Sequence, residues 1–340
     1  MILIHIRDLS KHFRILNRHE GLRGAVRDLF SGDYRTVKAV DGISFDIEPG
    51  EIVGYIGPNG AGKSTTIKMM TGILRPSGGV LSVNGLSPYE NRIRQAKIMG
   101  VVFGQRTQLW WDLPVIESFK ILKEIYKVDQ KTFDEHLEIF NELVGLKGLY
   151  TQQVRTLSLG QRMLCDIAAS FLHNPQMVFL DEPTIGLDIS IKAKIRSLIL
   201  ELNSTRNTTI ILTTHDLGDV EALCRRIIII DKGIILYDGG IKKVTELFGA
   251  YRTLKLQIKD YTDATRADLQ RELDRQFGAG CCLNVGQTEE YWTDVTIDQA
   301  QKPLSGVLGF VMSHFSVADV RIVEISMEDV VRRIYDGALQ

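Results

Sequence analysis

Residues 52–70 read Ile52-Val-Gly-Tyr-Ile-Gly57-Pro-Asn59-Gly60-Ala-Gly62-Lys63-Ser64-Thr65-Thr-Ile-Lys-Met-Met70. The apolar run before Gly57 predicts a fully buried strand, and Thr65 to Met70 predicts a helix. Between them, Gly57-x-x-x-x-Gly62-Lys63-Ser64 matches the P-loop pattern. Glycines there let backbone N–H groups converge on phosphates, and the helix N-terminus adds its partial positive charge. On this reading Gly57, Asn59, Gly60, Gly62, Lys63, Ser64 and Thr65 bind a nucleotide. Lys63 reaches the β- and γ-phosphates, and Ser64 offers its hydroxyl to Mg2+. A chance glycine-rich turn has no reason to carry the flanking strand and helix.

A second element, Met177-Val-Phe-Leu-Asp181-Glu182-Pro183, sets two adjacent carboxylates at the end of another apolar run. Such a pair is electrostatically costly unless a cation or a proton transfer uses it. Asp181 would hold Mg2+ through its water shell and Glu182 would polarise an attacking water. In isolation an Asp-Glu-Pro turn capping a surface strand is an equal reading; beside the phosphate loop it gives way to the chemical one.

Outward from these elements, short aliphatic strands alternate with helices over the first two-thirds of the chain, the signature of an α/β domain. Strands are expected at 52–56, 177–180, 210–213, 227–230 and 234–237. Between Gln105 and Phe171 the pattern turns helical, with helices at 116–126 and 133–144, which predicts a helical subdomain over about 106–172. The α/β domain is expected over 1–244. From 245 to 340 the expected order is βαββαβα, a small ferredoxin-like α+β domain of accessory or regulatory kind. Its final helix is placed at 327–335.

The bulk numbers exclude several classes. The chain has 340 residues, 41 basic against 42 acidic side chains and a net charge of −1, so no global field draws it to nucleic acid or anionic lipid. The aliphatic runs, such as Ile227 to Ile230, are far shorter than the ~20 residues that cross a bilayer. Met1 to Arg7 alternates like a strand and lacks the features of a signal peptide, which favours the cytosol. The four cysteines have no CxxC spacing, so neither a zinc site nor a disulfide framework is expected.

Further elements follow in a telling order: Gln105 in Val-Val-Phe-Gly-Gln, then Leu157-Ser158-Leu159-Gly160-Gln161, Gly186-Leu187-Asp188, and His215 after the strand at 210–213. Together with the two motifs above, they resemble the nucleotide-binding subunit of an ABC transporter. The resemblance implies a P-loop ATPase fold with a helical insert. It further implies ATP and Mg2+ as cofactors, and a dimer in which each nucleotide lies between two subunits. Gln105 then matches the Q-loop glutamine, which senses the γ-phosphate and Mg2+. His215 matches the switch histidine. Ser158, Gly160 and Gln161 match the signature that binds ATP held by the other subunit, and Asp188 matches the D-loop. Alone, Gln105 reads more readily as a solvated polar residue and His215 as a satisfied loop or core histidine. Ser158 reads as a helix N-cap as well as an anion ligand, and the two readings coincide.

One departure stands out: Leu159 replaces the signature's first glycine, where a side chain would crowd phosphate or forbid a positive φ. Phe13 sits where the family stacks an aromatic on adenine; a core phenylalanine is the competing reading. Residues 14–38 form an insertion whose Leu22, Val26, Leu29 and Phe30 fall at helical spacing, suiting an amphipathic helix on its own domain or a membrane contact. Trp110 and Trp111 either pack within the insert or anchor a membrane subunit. The tail at Glu324 to Val331 is similar to that of ATPases driving ABC-2-type exporters. The expected partners are therefore a second, identical ATPase subunit and ABC-2-type permease subunits on the inner face of the cell membrane, with no nucleic acid. The alternatives are a soluble ABC-type ATPase acting on nucleic acid or ribosomes, and a weakly hydrolytic regulatory subunit.

Overall fold

The structure is a computed structural model that describes residues 2–17, 34–104, 106–214, 216–248, 251–259, 263–278, 282–289, 292–298, 302–324, 330–331 and 334–335. The chain divides into two compact units at Ile241/Lys242.

In the first unit, six strands form a sheet: β3 (Ile52–Ile56), β5 (Met99–Phe103), β6 (Met177–Asp181), β7 (Thr209–Thr214), β8 (Arg226–Asp231) and β9 (Ile234–Gly240). Their order is β5-β6-β7-β3-β8-β9. All pairs are parallel except β8 with β9, which a tight turn at Lys232-Gly233 joins antiparallel. Every residue of β3 is buried, as are Ile227 to Ile230, which is what continuous aliphatic runs achieve in a sheet covered on both faces. A second, antiparallel sheet joins β2 (Tyr34–Ile47), β1 (Ile4–Leu16) and β4 (Gly78–Val83) in that order. Ile4, Ile6, Leu9, Val40 and Ile43 of this sheet share one apolar core with Tyr55, Ile67, Phe179 and Ile228.

The ends of the expected insertion are strand. Residues 14–16 pair with 34–36, continuing β1 and β2 outward as a ribbon. Leu22, Val26, Leu29 and Phe30 lie outside the described residues.

Helix α1 (Lys63–Met70) follows the phosphate loop and the short α2 (Arg92–Ala96) precedes β5. The helical subdomain comprises α3 (Val115–Tyr126), α4 (Gln130–Val144), two 3₁₀ turns at Leu146–Leu149 and Val154–Thr156, and α5 (Leu159–Phe171). Helices α6 (Ile189–Arg206) and α7 (Leu217–Leu223) flank β7, and α8 (Ile241–Phe248) follows β9.

The second unit contains β10 (Tyr251–Ile258), α9 (Asp263–Phe277), β11 (Cys282–Glu289), β12 (Trp292–Asp298), α10 (Leu304–His314) and β13 (Val317–Glu324). The sheet order β11-β12-β10-β13, with every pair antiparallel, is the ferredoxin-like arrangement of a βαββαβ chain. Leu254, Leu256, Leu269, Leu273, Val295 and Val307 build its core. The expected final helix falls mostly outside the described residues, although 330–331 and 334–335 are helical. Among the described residues, no helix is long and apolar enough to cross a membrane.

Candidate functional site

Because β7 lies between β6 and β3, the ends of those three parallel strands meet at one edge of the sheet. Ile56 pairs with Thr214, and Asp181 with Thr213. The phosphate loop, the two carboxylates and the end of β7 are thus brought together by strand order, at the carboxyl edge where α/β sheets bind ligands.

The loop is shaped by two close approaches. At Gly57 a Cβ would meet the Ile230 carbonyl oxygen at 2.3 Å, so no side chain fits. Gly62 combines φ = +111° with a would-be Cβ 2.5 Å from the Ala39 carbonyl oxygen. Gly62 is also the N-cap of α1 and gives no side-chain cap, so the first N–H groups of α1 remain for a ligand. Asn59, Gly60, Gly62, Lys63, Ser64 and Thr65 line a hollow of about 170 Å³ together with Ala39, Pro58 and Glu182.

Within it, the Lys63 ammonium donates to the carbonyls of Gly57 at 2.5 Å and Pro58 at 3.1 Å. Burial lowers the Lys63 pKa, and the charges of Glu182 and Asp181 oppose that shift. Ser64 Oγ donates to Asp181 Oδ2 at 3.1 Å, and Thr213 Oγ1 donates to Asp181 Oδ1. The Glu182 N–H donates back to Thr213, to the carbonyl at 3.0 Å and to Oγ1 at 3.1 Å. Glu182 itself has φ = +53°, a left-handed conformation that costs a glutamate ~1 kcal/mol or more and commonly marks functional positions. Thr213 is a residue that sequence reasoning missed. Its role depends on β7 being the middle strand, which no local pattern reveals.

The signature segment is built differently. Ser158 caps α5, accepting from the Gln161 N–H at 3.2 Å, while Gln161 Oε1 accepts from the Ser158 N–H at 3.0 Å. This reciprocal capping box satisfies both ends of the turn. Leu159 is the first helical residue and has no positive φ, so the expected conformational penalty does not arise. Its side chain is 38% exposed and leans toward Gly186, where a Cβ would lie 3.7 Å from Leu159 Cδ2. Gly160 packs closely on α6: a Cβ there would sit 2.9 Å from Ile191 Cγ2, so that side chain would have to shift. Asp188 caps α6, accepting from the Ile191 N–H at 3.0 Å.

Gln105 and His215 lie outside the described residues. Their neighbours are fixed: the Gly104 N–H donates to the Asp181 carbonyl at 2.8 Å, and the Asp216 N–H to Thr214 Oγ1 at 2.9 Å. Beyond position 105 the chain is tied to α5, where Asp166 Oδ1 accepts from Thr107 Oγ1 at 2.8 Å and from the Gln108 N–H at 3.0 Å. Burial pushes the Asp166 carboxyl up to about 6, against the pull of those hydrogen bonds. Trp110 and Trp111 are 39% and 48% exposed, with the Arg162 guanidinium 5.2 Å from the Trp111 ring centre. Phe13 is half-buried on the β1–β2 ribbon, paired with Val37 and with the Lys11 ammonium 5.2 Å from its ring.

A larger hollow of about 340 Å³ opens at the opposite edge of the sheet, lined by Asn174, Gln176, Arg206 and Asn207 among others. There Arg206 donates to the Phe171 carbonyl at the C-terminal end of α5, which is helix-capping chemistry.

Residues 40–185 match the ABC transporter family. The ABC transporter ATP-binding protein NatA of Bacillus subtilis (strain 168) is 32% identical over 217 residues, 64% of this chain and 88% of that protein. This chain is an ATP-binding subunit of the ABC transporter family. The Methionine import ATP-binding protein MetN 2 of Enterococcus faecalis is 30% identical, covering 78% of this chain and 72% of that protein. The Nod factor export ATP-binding protein I of Cupriavidus metallidurans is 34% identical over 214 residues and 69% of its length. Among solved structures, a dimeric post-hydrolysis ATP-binding cassette bound to ADP and Pi superposes with a TM-score of 0.58 at 22% identity. It covers 70% of this chain and 98% of that one, a likeness of fold. As a member of this family the chain is an ABC-type ATPase, whose ATP hydrolysis is coupled to transport.

Proposed function

We propose that this ABC ATPase works as a dimer that sandwiches two Mg-ATP molecules and drives an ABC-2-type exporter. It would sit in the cytoplasm, peripheral on the inner face of the membrane, held there by separate permease subunits. The observation that carries the catalytic part is the convergence of Lys63, Ser64, Asp181 and Glu182 at one sheet edge, with Glu182 on the wall of the phosphate hollow. Ser64 Oγ and the Asp181 carboxylate form an all-oxygen donor set, which suits Mg2+. Mg2+ supplies neutralisation of the phosphate oxygens when bound. Lys63 holds phosphate by charge, and Glu182 takes the proton of the attacking water. Gln105 and His215 complete the γ-phosphate contacts. Ser158, Gly160, Gln161 and Asp188 of a second copy close the site, and Phe13 stacks on adenine.

Trp110 and Trp111 fit the permease contact, since two adjacent exposed indoles are a costly surface to leave to water. The dimer is supported by the dimeric cassette to which the chain is similar. Export is supported by the tail at 324–331 and by likeness to the Nod factor export protein, while likeness to a methionine import protein makes direction a matter for experiment.

The test is Glu182→Gln in the full chain. ATP binding is expected to stay within about twofold while steady-state hydrolysis falls roughly 100-fold or more, the scale of losing a general base. Unimpaired turnover would remove Glu182 from this role. Identifying the membrane proteins that co-purify with the chain tests the transporter class, and an importer-type permease would overturn the exporter reading.

A further inference from the structure

Helix α7 begins with an arrangement that capping alone does not explain. Asp216 is its N-cap, accepting from the Gly218 N–H at 3.0 Å, and Asp219 stands at N3. An acid at N3 ordinarily reaches back to the N–H of the cap residue. Here that N–H is already taken by Thr214 Oγ1 at 2.9 Å, and the Asp219 side chain turns away from its own helix. It is fully buried. Its two oxygens serve two other elements: Oδ1 accepts from Arg196 Nε of α6 at 2.7 Å, and Oδ2 accepts from the hydroxyl of Thr184. Thr184 is buried and lies two residues after Glu182. One turn before Arg196 on the same face of α6, Lys192 pairs with Asp216 Oδ2. Helix α6 is the helix that Asp188 caps.

One buried carboxylate therefore ties together the loop that carries Glu182, the helix that begins at the D-loop, and the turn flanking position 215. We propose that Asp219 is a positioning residue for ATP hydrolysis. Through Thr184 it sets the placement of the Glu182 loop, and through Arg196 it makes that placement follow any movement of α6. A displacement of the D-loop end of α6 would then reach the hydrolytic carboxylate as a shift of one hydrogen-bonded strap. This rests on the catalytic reading of Glu182 above.

The experiment uses the full chain and measures kcat, KM for ATP, the affinity for a fluorescent ATP analogue and the melting temperature. Thr184→Val is nearly isosteric and cuts only the Thr184–Asp219 bond, leaving the Arg196 pair in place. It is expected to lower kcat about 10-fold, the scale of a misplaced catalytic group, with analogue affinity within about twofold of wild type. Asp219→Asn is expected to lose more, and Asp219→Glu to recover part of that loss. A kcat for Thr184→Val within twofold of wild type overturns the proposal. So does a loss in which affinity and melting temperature fall in step with kcat, as a merely structural contact would give. Should Asp219→Asn fail to fold, Thr184→Val still decides. Glu182→Gln in the same assay separates the two claims: if it retains turnover, the catalytic reading fails. If it abolishes turnover while Thr184→Val is silent, only the strap fails.

Discussion

The phosphate loop and the signature segment are both turns that open a helix, yet they are finished in opposite ways. At the start of α1 no side chain caps the helix, Lys63 is buried, and two glycines are pressed against backbone carbonyls. At the start of α5 a capping box satisfies the turn within its own chain, Leu159 is 38% exposed, and Ile189 at the start of neighbouring α6 is 87% exposed. The first is a hollow whose helix N-terminus suits an anion. The second is a self-sufficient surface with apolar side chains facing outward, the character of a face that meets another body. A single subunit thus holds one complete phosphate cradle and one outward face whose helix N-terminus still favours negative charge.

The largest expected break in this contrast comes from glycine substitution. Gly62→Ala places a Cβ 2.5 Å from the Ala39 carbonyl at φ = +111°, so backbone must move in the cradle. We expect loss of nucleotide binding and a stability cost of about 3 kcal/mol or more. Gly160→Ala meets only Ile191 side-chain atoms, nearest at 2.9 Å, which can give. Its expected cost is about 1–2 kcal/mol, with the nucleotide affinity of the isolated subunit unchanged because Gly160 is proposed to meet nucleotide only across the dimer. Chemical denaturation and analogue binding of the two variants check this, and equal effects on binding would erase the distinction.

A second break uses pH, because the signature helix is mounted on one buried and one half-buried histidine. His136 Nδ1 donates to the Leu172 carbonyl at 2.9 Å and His173 Nε2 to the Met99 carbonyl at 3.1 Å. Burial pushes each imidazole down to about 4, with Arg206 facing His136 and His136 facing His173 as further causes. The folded pKa values lie below the unfolded value of ~6.5, so the unfolded chain binds more protons as pH falls. The stability is present above pH ~6.5 and is lost toward pH 4, by about 2 kcal/mol per histidine at pH 5. Asp166, whose folded carboxyl is raised to about 6, works the other way and returns about 1 kcal/mol over the same interval. His173→Phe keeps the stack on Tyr126 and is expected to cut the net loss between pH 7 and pH 5 to about a third in thermal melts. An unchanged loss would take His173 out of the account.

What could be read from the sequence follows the range of the interactions concerned. The buried strands, the phosphate loop and Asp181-Glu182 were legible because each is a contiguous run whose side chains report their own environment. The antiparallel sheet was harder: β4 opens with Gly78-Gly79, which reads as a turn, and Gly79 lies against the Asp8 carbonyl at a break in register. The strand character of the insertion's ends is hard to read because 14–15 and 34–38 are exposed, with Arg14, Arg35 and Lys38 masking the alternation. Thr213 and Asp219 gave no signal, since their partners are brought near only by strand order and by the packing of α6 on α7.

The smallest effect belongs to the residue that most departs from the family pattern. If Leu159 blocked the signature, restoring glycine would raise activity sharply. The helical backbone at Leu159, its absence from left-handed φ and its lean toward Gly186 place the side chain beside the D-loop of its own subunit. The first N–H groups of α5 leave the helix in the same direction with leucine or glycine at 159, which is all that the proposed anion site asks of that position. Leu159→Gly removes a half-exposed side chain and adds backbone freedom in the first turn, so the expected stability cost is under ~1 kcal/mol. ATPase turnover of the dimer is expected to stay within about threefold of wild type, because oriented N–H groups bind phosphate without help from the side chain. Ser158→Ala is the sharpening control. It removes the cap at a comparable cost of about 1 kcal/mol, yet takes away a hydroxyl proposed to touch ATP. Its turnover should therefore fall well below that of Leu159→Gly at matched stability. Equal turnover in the two variants would mean that the capping box serves the helix alone.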